Sequence, residues 1–440
     1  MKPYPKYKDS GVEWIGEVPE GWEKSKIKFC TEFINGYAFK SDDYVNNKGI
    51  PLIRIGDIKP EIDFNEAQKV PEEYAAIFKT FAVKKNDILV ALTGATIGKS
   101  SVYKSTRPAL LNQRVAILRP KGETHNNFLK FFINSDIFKK LIEYECVGGA
   151  QENIGKKEIG SCVLYLPKLL DQVQTSLFLD HKTAQIDDLI SKKQKLIELL
   201  KEERAAIINQ AVTKGLNPDA PMKDSGIEWL GEVPKHWDVK RLKYIARIIL
   251  GKMLTNVDKG GYHYRPYLRA QNINWEKVNI EDVKKMWFSK DELHQYRLNK
   301  NDLLVSEGGE VGRTSIWNEE IDECYIQNSV HKVTMEPTND PFFFFYTFCL
   351  YGEKGVFESV VNRISIAHLT KEKLKETVFL VPPNDEQERI SKFISAETTK
   401  IDQTISKIEK QIDLLTEYRT ALISEVVTGK IDVRDEGLNE

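Results

Sequence analysis

No run of apolar residues in this chain approaches the ~18 needed for a membrane-spanning helix, so no transmembrane segment is expected. The N-terminal stretch MKPYPKYKDSGVEW has no apolar core of the kind a signal peptide carries, and a cytoplasmic location is expected. Cysteine is scarce: Cys30, Cys146, Cys162, Cys324 and Cys349 are odd in number, far apart and never in a CxxC pair. That argues against a disulfide or zinc framework and for thiols in a reducing compartment. The seven histidines show no HExxH or other paired ligand spacing, so no metal site is expected. Net charge is almost absent as well, with 64 basic against 65 acidic residues. By itself this argues weakly against a polyanionic partner.

The 440 residues are 41% hydrophobic and 29% charged, a balance that suits a soluble globular chain with more than one core. At roughly 150 residues per domain, about three domains would be expected. Internal repetition overrides that prior. KDSGVEWIGEVP begins at Lys8 and KDSGIEWLGEVP at Lys223, an offset of 215. The same offset relates Trp22 to Trp237, Gly36 to Gly251, Arg54 to Arg269, Asp87 to Asp302, Gln172 to Gln387 and Arg204 to Arg419. A unit this long is a duplicated domain with its connector, not a solenoid repeat.

Each unit begins with a mixed α/β block. Short β-rich runs such as Ile50–Ile58, Asp87–Leu92, Val115–Pro120 and Val163–Pro167 are bounded by turn residues, and Asn127–Tyr144 has a helical pattern. Tyr267–Ile273 and Asp302–Glu307 are the second-copy strands. The second part of each unit, Asp171–Gly215 and Glu386–Lys430, lacks proline altogether. Ile186, Ile190, Ile197, Leu200, Arg204 and Ile207 fall on heptad spacing, as do Ile401, Ile405, Ile408, Ile412, Leu415, Arg419 and Leu422. The spacing predicts two long helices with a coiled-coil seam, each about 65 Å long at ~1.5 Å per residue. The order head, rod, head, rod favours an antiparallel pair with an approximate internal two-fold axis. Arg204 and Arg419 sit at seam positions and are expected to make interhelical or partner contacts.

Motifs that would carry catalysis are missing. TGATIGKS (Thr93–Ser100) has its glycines one residue too close for a P-loop, and its repeat EGGEVGRT carries Arg313 where the lysine should be. A hairpin is the expected structure. Pro382–Pro383 lacks the flanks of a base-methylation motif and reads as a helix-start signal. The aromatic cluster Pro341–Tyr346 reads as a core helix. A duplicated frame without an active site points to a binding protein with two related heads. The heads share least over Lys59–Lys84 and Trp275–Asn299, where divergence would alter specificity.

The chain resembles the specificity subunit of type I restriction–modification systems. The resemblance rests on KDSGVEWIGEVPEGW and its repeat ending at Trp237, on LPKLLDQ (Leu166–Gln172) and VPPNDEQ (Val381–Gln387), and on the rod endings Leu199–Gly215 and Leu414–Lys430. It implies target recognition domains over residues 1–170 and 216–385 and conserved helices over 171–215 and 386–430; by its own charge the stretch 431–440 is an acidic tail. It further implies a non-catalytic subunit whose two domains each read one half of a bipartite asymmetric site in double-stranded DNA. Implied partners are two adenine-N6 methyltransferase subunits and two ATP-dependent restriction subunits. S-adenosylmethionine, ATP and Mg belong to those partners, and this chain binds no cofactor.

Base reading calls for arginine and amide side chains capable of bidentate contacts. Candidates are Lys99, Asn112, Gln113, Arg114, Gln151 and Asn153 in the first head. In the second they are Gln271, Asn272, Arg313, Gln327, Asn328, Arg363 and His368. Two other readings compete: a scaffold whose heads bind proteins, and a nucleotide-dependent enzyme using Gly94–Ser100. Charge by region removes the apparent objection to DNA. Met1–Leu170 carries 26 basic and 21 acidic residues, whereas Leu216–Asp385 carries 23 and 25, and phosphate attraction depends on local rather than total charge.

Overall fold

The computed structural model describes residues 2–46, 48–59, 62–94, 97–146, 154–360 and 368–436. The architecture is mixed α/β, with two heads and two long helices. The chain forms two compact units: residues 1–193 with 409–440, and the contiguous stretch 194–408.

In the first unit, strands β1 (Glu23–Lys26) and β2 (Thr31–Asn35) are followed by β3 (Ile50–Ile53), β4 (Ile88–Ala91), β5 (Ser100–Val102), β6 (Ala109–Leu111) and β7 (Val115–Pro120). One antiparallel sheet has the order β2-β7-β4-β5. A second is built around β3 and β6, which pair in parallel. Fully apolar runs such as ILVA in β4 are buried along their whole length, as strands covered on both faces require. The 50–58 run is extended only to Ile53. Asp57 then accepts from the Arg54 amide and closes a single 3-10 turn.

The helical patch 127–144 is two helices, α1 (Asn126–Ile133) and α2 (Asp136–Cys146). The break falls at Asn134–Ser135, where the serine hydroxyl accepts from the Phe138 amide and competes with helix continuation. Strand β8 (Val163–Leu166) pairs with β1 and leads into helix α3 (Leu169–Lys214).

The second unit repeats this plan. Strands β9 (Ala246–Leu250), β10 (His263–Leu268), β11 (Lys284–Phe288), β12 (Leu303–Ser306), β13 (Thr314–Ile316), β14 (Tyr325–Ile326) and β15 (Val330–Met335) form sheets ordered β9-β15-β12-β13 and β11-β10-β14. The aromatic cluster lies in α4 (Pro341–Glu353). Asp340 caps it, and Phe343, Phe344 and Phe348 are buried. Pro382–Pro383 directly precedes α5 (Asn384–Val427). Repeated tryptophans anchor both cores: Trp22 meets Phe128 edge-on at 6.2 Å, and Trp237 meets Phe343 at 6.2 Å.

Neither long helix belongs to one head. The first core is closed by Phe178, Leu179 and Ile186 of α3 together with Leu422, Ile423, Val426 and Val427 of α5. The second takes Ile208, Ala211 and Val212 of α3 with Ile390 and Ile394 of α5. This is why the compact units cut across the head-and-rod blocks legible in the sequence. The heptad positions are the less exposed ones. Ile186, Ile401, Ile405, Ile408 and Leu422 are buried, and Ile190, Ile197, Leu200, Arg204, Ile207, Ile412, Leu415 and Arg419 are half-buried.

Polar contacts fix the helix direction. In the first unit Arg419 meets Asp187 at 2.8 Å and Gln411 meets Lys193 at 2.6 Å, so numbering rises on one helix as it falls on the other. In the second unit Arg204 meets Asp402 at 3.2 Å. Each rod is stapled to the head before it by a buried glutamine. Gln172 donates to the carbonyls of Pro167 and Glu123 and accepts from the His125 amide. Gln387 likewise donates to the Pro382 carbonyl and accepts from the Asp340 amide. No helix among the described residues is long and apolar enough to cross a membrane.

Candidate nucleic-acid interface

One tight turn in each head gathers five of the thirteen candidates. In the first head Asn112, Gln113 and Arg114 connect β6 to β7, with the Val115 amide donating to the Asn112 carbonyl. The neighbouring segment clamps the turn: the Tyr37 amide donates to the Leu111 carbonyl, and the Gln113 amide donates to the Tyr37 carbonyl. A Cβ on Gly36 would stand 2.0 Å from the Asn112 carbonyl oxygen, so only glycine lets the two backbones approach. Gln113 and Arg114 are exposed, as is Lys99 before β5. Among the described residues these three side chains make no hydrogen bond or ion pair, so their donors face solvent unspent.

The second head builds the same turn from Gln327, Asn328 and Ser329, between β14 and β15. The Lys252 amide donates to the Ile326 carbonyl, and the Asn328 amide donates to the Lys252 carbonyl. Gly251 would carry a Cβ 2.3 Å from the Gln327 carbonyl oxygen. Here the side chains are tied together. Gln327 donates to Asn328 at 2.6 Å and accepts from Ser329 at 2.6 Å, and the Ser329 hydroxyl accepts from the Ala270 amide at 3.0 Å. Arg313 donates to the Ala270 carbonyl at 3.1 Å. Gln271 is exposed beside Asp282, which holds the Arg269 guanidinium at 2.9 Å. Bonds from Lys284 and then Arg269 keep the Asp282 carboxyl below the usual carboxylate range.

Asn272 is placed differently from the other candidates. It is buried, accepts from the Arg269 amide and donates to the Asn279 and Asp282 carbonyls. In this conformation its amide holds the loop and presents no edge to a base. His368 is exposed, next to Leu369, whose amide donates to the Glu307 carbonyl. The Glu307 carboxyl is raised by burial, an effect His368 opposes. Gln151, Asn153 and Arg363 lie outside the described residues.

The P-loop alternative fails on topology. Gly94–Ser100 joins two antiparallel strands, registered from Ile88–Val102 to Val90–Ser100, whereas phosphate cradling of that kind needs a strand followed by a helix.

Sequence reading alone missed the apolar residues displayed beside each turn. Tyr37 is 40% exposed, with its ring 4.6 Å from Phe78 and 5.3 Å from Phe81. Met253 and Leu254 are 74% and 51% exposed. Their only signal was adjacency to the repeated glycines, which becomes informative once those glycines are seen to hold the turns.

Comparison with known proteins bears on this geometry. The sequence profile described as the type I restriction modification DNA specificity domain matches twice, over residues 19–199 and 234–414. The specificity subunit of the type I restriction enzyme EcoKI from Escherichia coli is 23% identical over 300 residues, covering 66% of this chain and 62% of that protein. A putative type I specificity subunit, MjaX, from Methanocaldococcus jannaschii is 26% identical over 432 residues, covering 96% of each chain. Among solved structures, a chain from a study of type I R-M complex assembly and conformational transition superposes with a TM-score of 0.64 at 15% identity, covering 94% of this chain and 99% of its own. The HsdS subunit from Thermoanaerobacter tengcongensis gives 0.57 at 13% identity, covering 96% and 100%. Those two likenesses establish a shared fold. Two profile matches that together span most of the chain establish the family: this chain belongs to the type I restriction modification DNA specificity domain family.

Proposed function

We propose that this chain is the DNA-reading subunit of a type I restriction–modification complex, in which each head reads one half of a split, asymmetric target. The observation that carries this reading is the pair of equivalent turns. A glycine contact fixes the backbone of both, and the side chains they display differ: Asn112, Gln113 and Arg114 against Gln327, Asn328 and Ser329. Two frames of one shape with different donors and acceptors are what two different base sequences require.

The long helices set the spacing of the half-sites and offer docking surface to two methyltransferase subunits. Those subunits supply S-adenosylmethionine and adenine-N6 methylation, and two restriction subunits supply ATP- and Mg-dependent translocation and cleavage. The chain itself contributes recognition without catalysis and works in the cytoplasm beside the DNA it reads. Coexpression with the cognate methyltransferase followed by methylome sequencing tests this reading. The expected result is N6-methyladenine at one bipartite motif. An assembled, active complex that methylates no split motif would refute it.

A further inference from the structure

The loop that carries Gln271 and the loop that carries Arg313 are both fastened to the rod at one point. Residues 272–279 form a small hairpin: the Asn279 amide donates to the Asn272 carbonyl at 2.7 Å, and Ile273 bridges Val278. At its tip Glu276 holds a left-handed backbone, φ +66°, which is unfavourable for a side-chain-bearing residue. The Glu276 carboxylate accepts two bonds from the Arg204 guanidinium of α3, at 2.8 and 2.6 Å. This fork geometry fixes direction as well as distance. Arg204 is steadied in turn by Asp402 of α5 at 3.2 Å.

A second leg runs from Trp275. Its indole N–H donates to Glu310 at 2.5 Å, and its ring lies so close to α4 that a Cβ on Gly352 would stand 1.9 Å from it. Glu310 begins the turn that ends in Arg313, whose amide donates to the Glu310 carbonyl at 3.4 Å and whose guanidinium reaches the Ala270 carbonyl. Beside the tether lies a cleft of about 370 Å³, lined in part by Lys201, Ala205, Ile208 and Glu353. Apolar packing therefore does not close the head against the rod here, and the ion pair and the tryptophan hold the hairpin.

We infer that Arg204 and Glu276 are positioning residues for target recognition by the second head: the rod sets the pose of the loops bearing Gln271 and Arg313. The inference rests on the DNA-reading role proposed above. It follows from the requirement that a reading constellation be held by neighbours whose own geometry is fixed. The repeat partner Arg419 meets Asp187 of α3 in the first unit, so the helix-to-helix contact is common to both arginines. Among the described residues Arg204 reaches on to a head as well, through Glu276.

The test uses the full chain coexpressed with its methyltransferase, with methylome sequencing as readout. Arg204→Ala removes the fork. Glu276→Gly cuts the tether while relieving the left-handed strain, and so guards against a misfolded first variant. Both variants should lose roughly tenfold discrimination, the scale of one bidentate base contact, at positions of the half-site read by the second head. The other half of the motif should stay unchanged. Equal degeneracy in both halves, or an unchanged second half, would overturn the inference. So would failure of both variants to assemble, because that would make the pair a general folding contact. A wild-type complex with no split motif would instead refute the DNA-reading role itself.

Discussion

The two heads keep one backbone and diverge in how its charges are neutralised. Asp87 and Asp302 occupy the same place, after Asn86 and Asn301, which both adopt a left-handed backbone at φ 72° and 68°. Each carboxylate caps the turn before its strand, accepting from the Lys84 and Asn299 amides respectively. In the first head Asp87 is gripped by one edge of the Arg119 guanidinium, whose Nε and Nη2 donate to it at 2.9 and 2.8 Å. In the second, position 334 is a threonine, and Asp302 has its hydroxyl in place of a cation. Burial accordingly pushes the Asp302 carboxyl above the usual range, while the Arg119 guanidinium is held above its own by Asp87. The two candidate turns diverge in the same way. The first displays unspent donors, and the second folds its amides into a network through Ser329. A duplicated frame tolerates such changes because glycine contacts and buried caps, rather than the variable side chains, determine its backbone.

The largest test of that contrast is the interior pair. Arg119→Ala leaves Asp87, 3% exposed, as an unpaired buried carboxylate and should cost the first unit about 3–5 kcal/mol. Thr334→Ala removes one hydroxyl from Asp302 and should cost the second ~1 kcal/mol. Hydrogen-exchange protection of residues 88–91 and 303–306 measures both, and equal losses would break the comparison.

Next come the glycines. Gly36→Ala and Gly251→Ala should each cost roughly 1–3 kcal/mol by overpacking and should blur the methylated motif in one half only, a different half for each. Third, Arg114→Ser, which gives the first turn the second head's residue, should cost about 1–3 kcal/mol of base discrimination. Binding to single-base variants of the first half-site reads the loss, and an unchanged preference would remove Arg114 from the interface.

The smallest effect is one of pH. His331 is buried, with one ring nitrogen 2.7 Å from the Leu369 carbonyl, and burial depresses its pKa. The first head has Ala116 at that position. A depressed histidine pKa means that the unfolded chain takes up the proton first. Stability of the second unit should therefore fall as pH drops below about 6.5. Half-buried His125 shifts in the same direction in the first unit, so the contrast is one of degree. Hydrogen exchange at pH 7 and 5.5 should show the second unit losing more protection. His331→Gln should narrow the gap.

The repeat, the helices and the seam were legible because each depends on periodicity, which a sequence states directly. The hairpin at Gly94–Ser100 was legible from its glycine spacing. Less accessible was the break at Asn134–Ser135, because a serine hydroxyl competing for a backbone amide leaves the apolar pattern of 127–144 intact. The placement of the candidate residues was legible only in part. Gln113, Arg114 and Asn328 stand where their residue type suggested, in turns between strands. Asn272 looked equivalent, yet its amide is consumed by the loop it supports. The difference between a free amide and a brace lies in burial, which composition does not record. Arg204 showed itself as a seam residue, and its partner Glu276 lay in the segment that the repeats share least.

The first unit's core contains Leu422, Ile423, Val426 and Val427. A ribosome delivers these residues only after the whole of 194–408, which is a contiguous unit with its own core. The first head to be synthesised is therefore the last to be sealed. Until then its apolar seat for α5 stays open in the nascent chain, the kind of exposed surface that recruits chaperones and aggregates. Synthesis interrupted before residue 409 should release a protein with a finished second head and an unfinished first one, so that truncation damages the end of the molecule farthest from the cut in sequence.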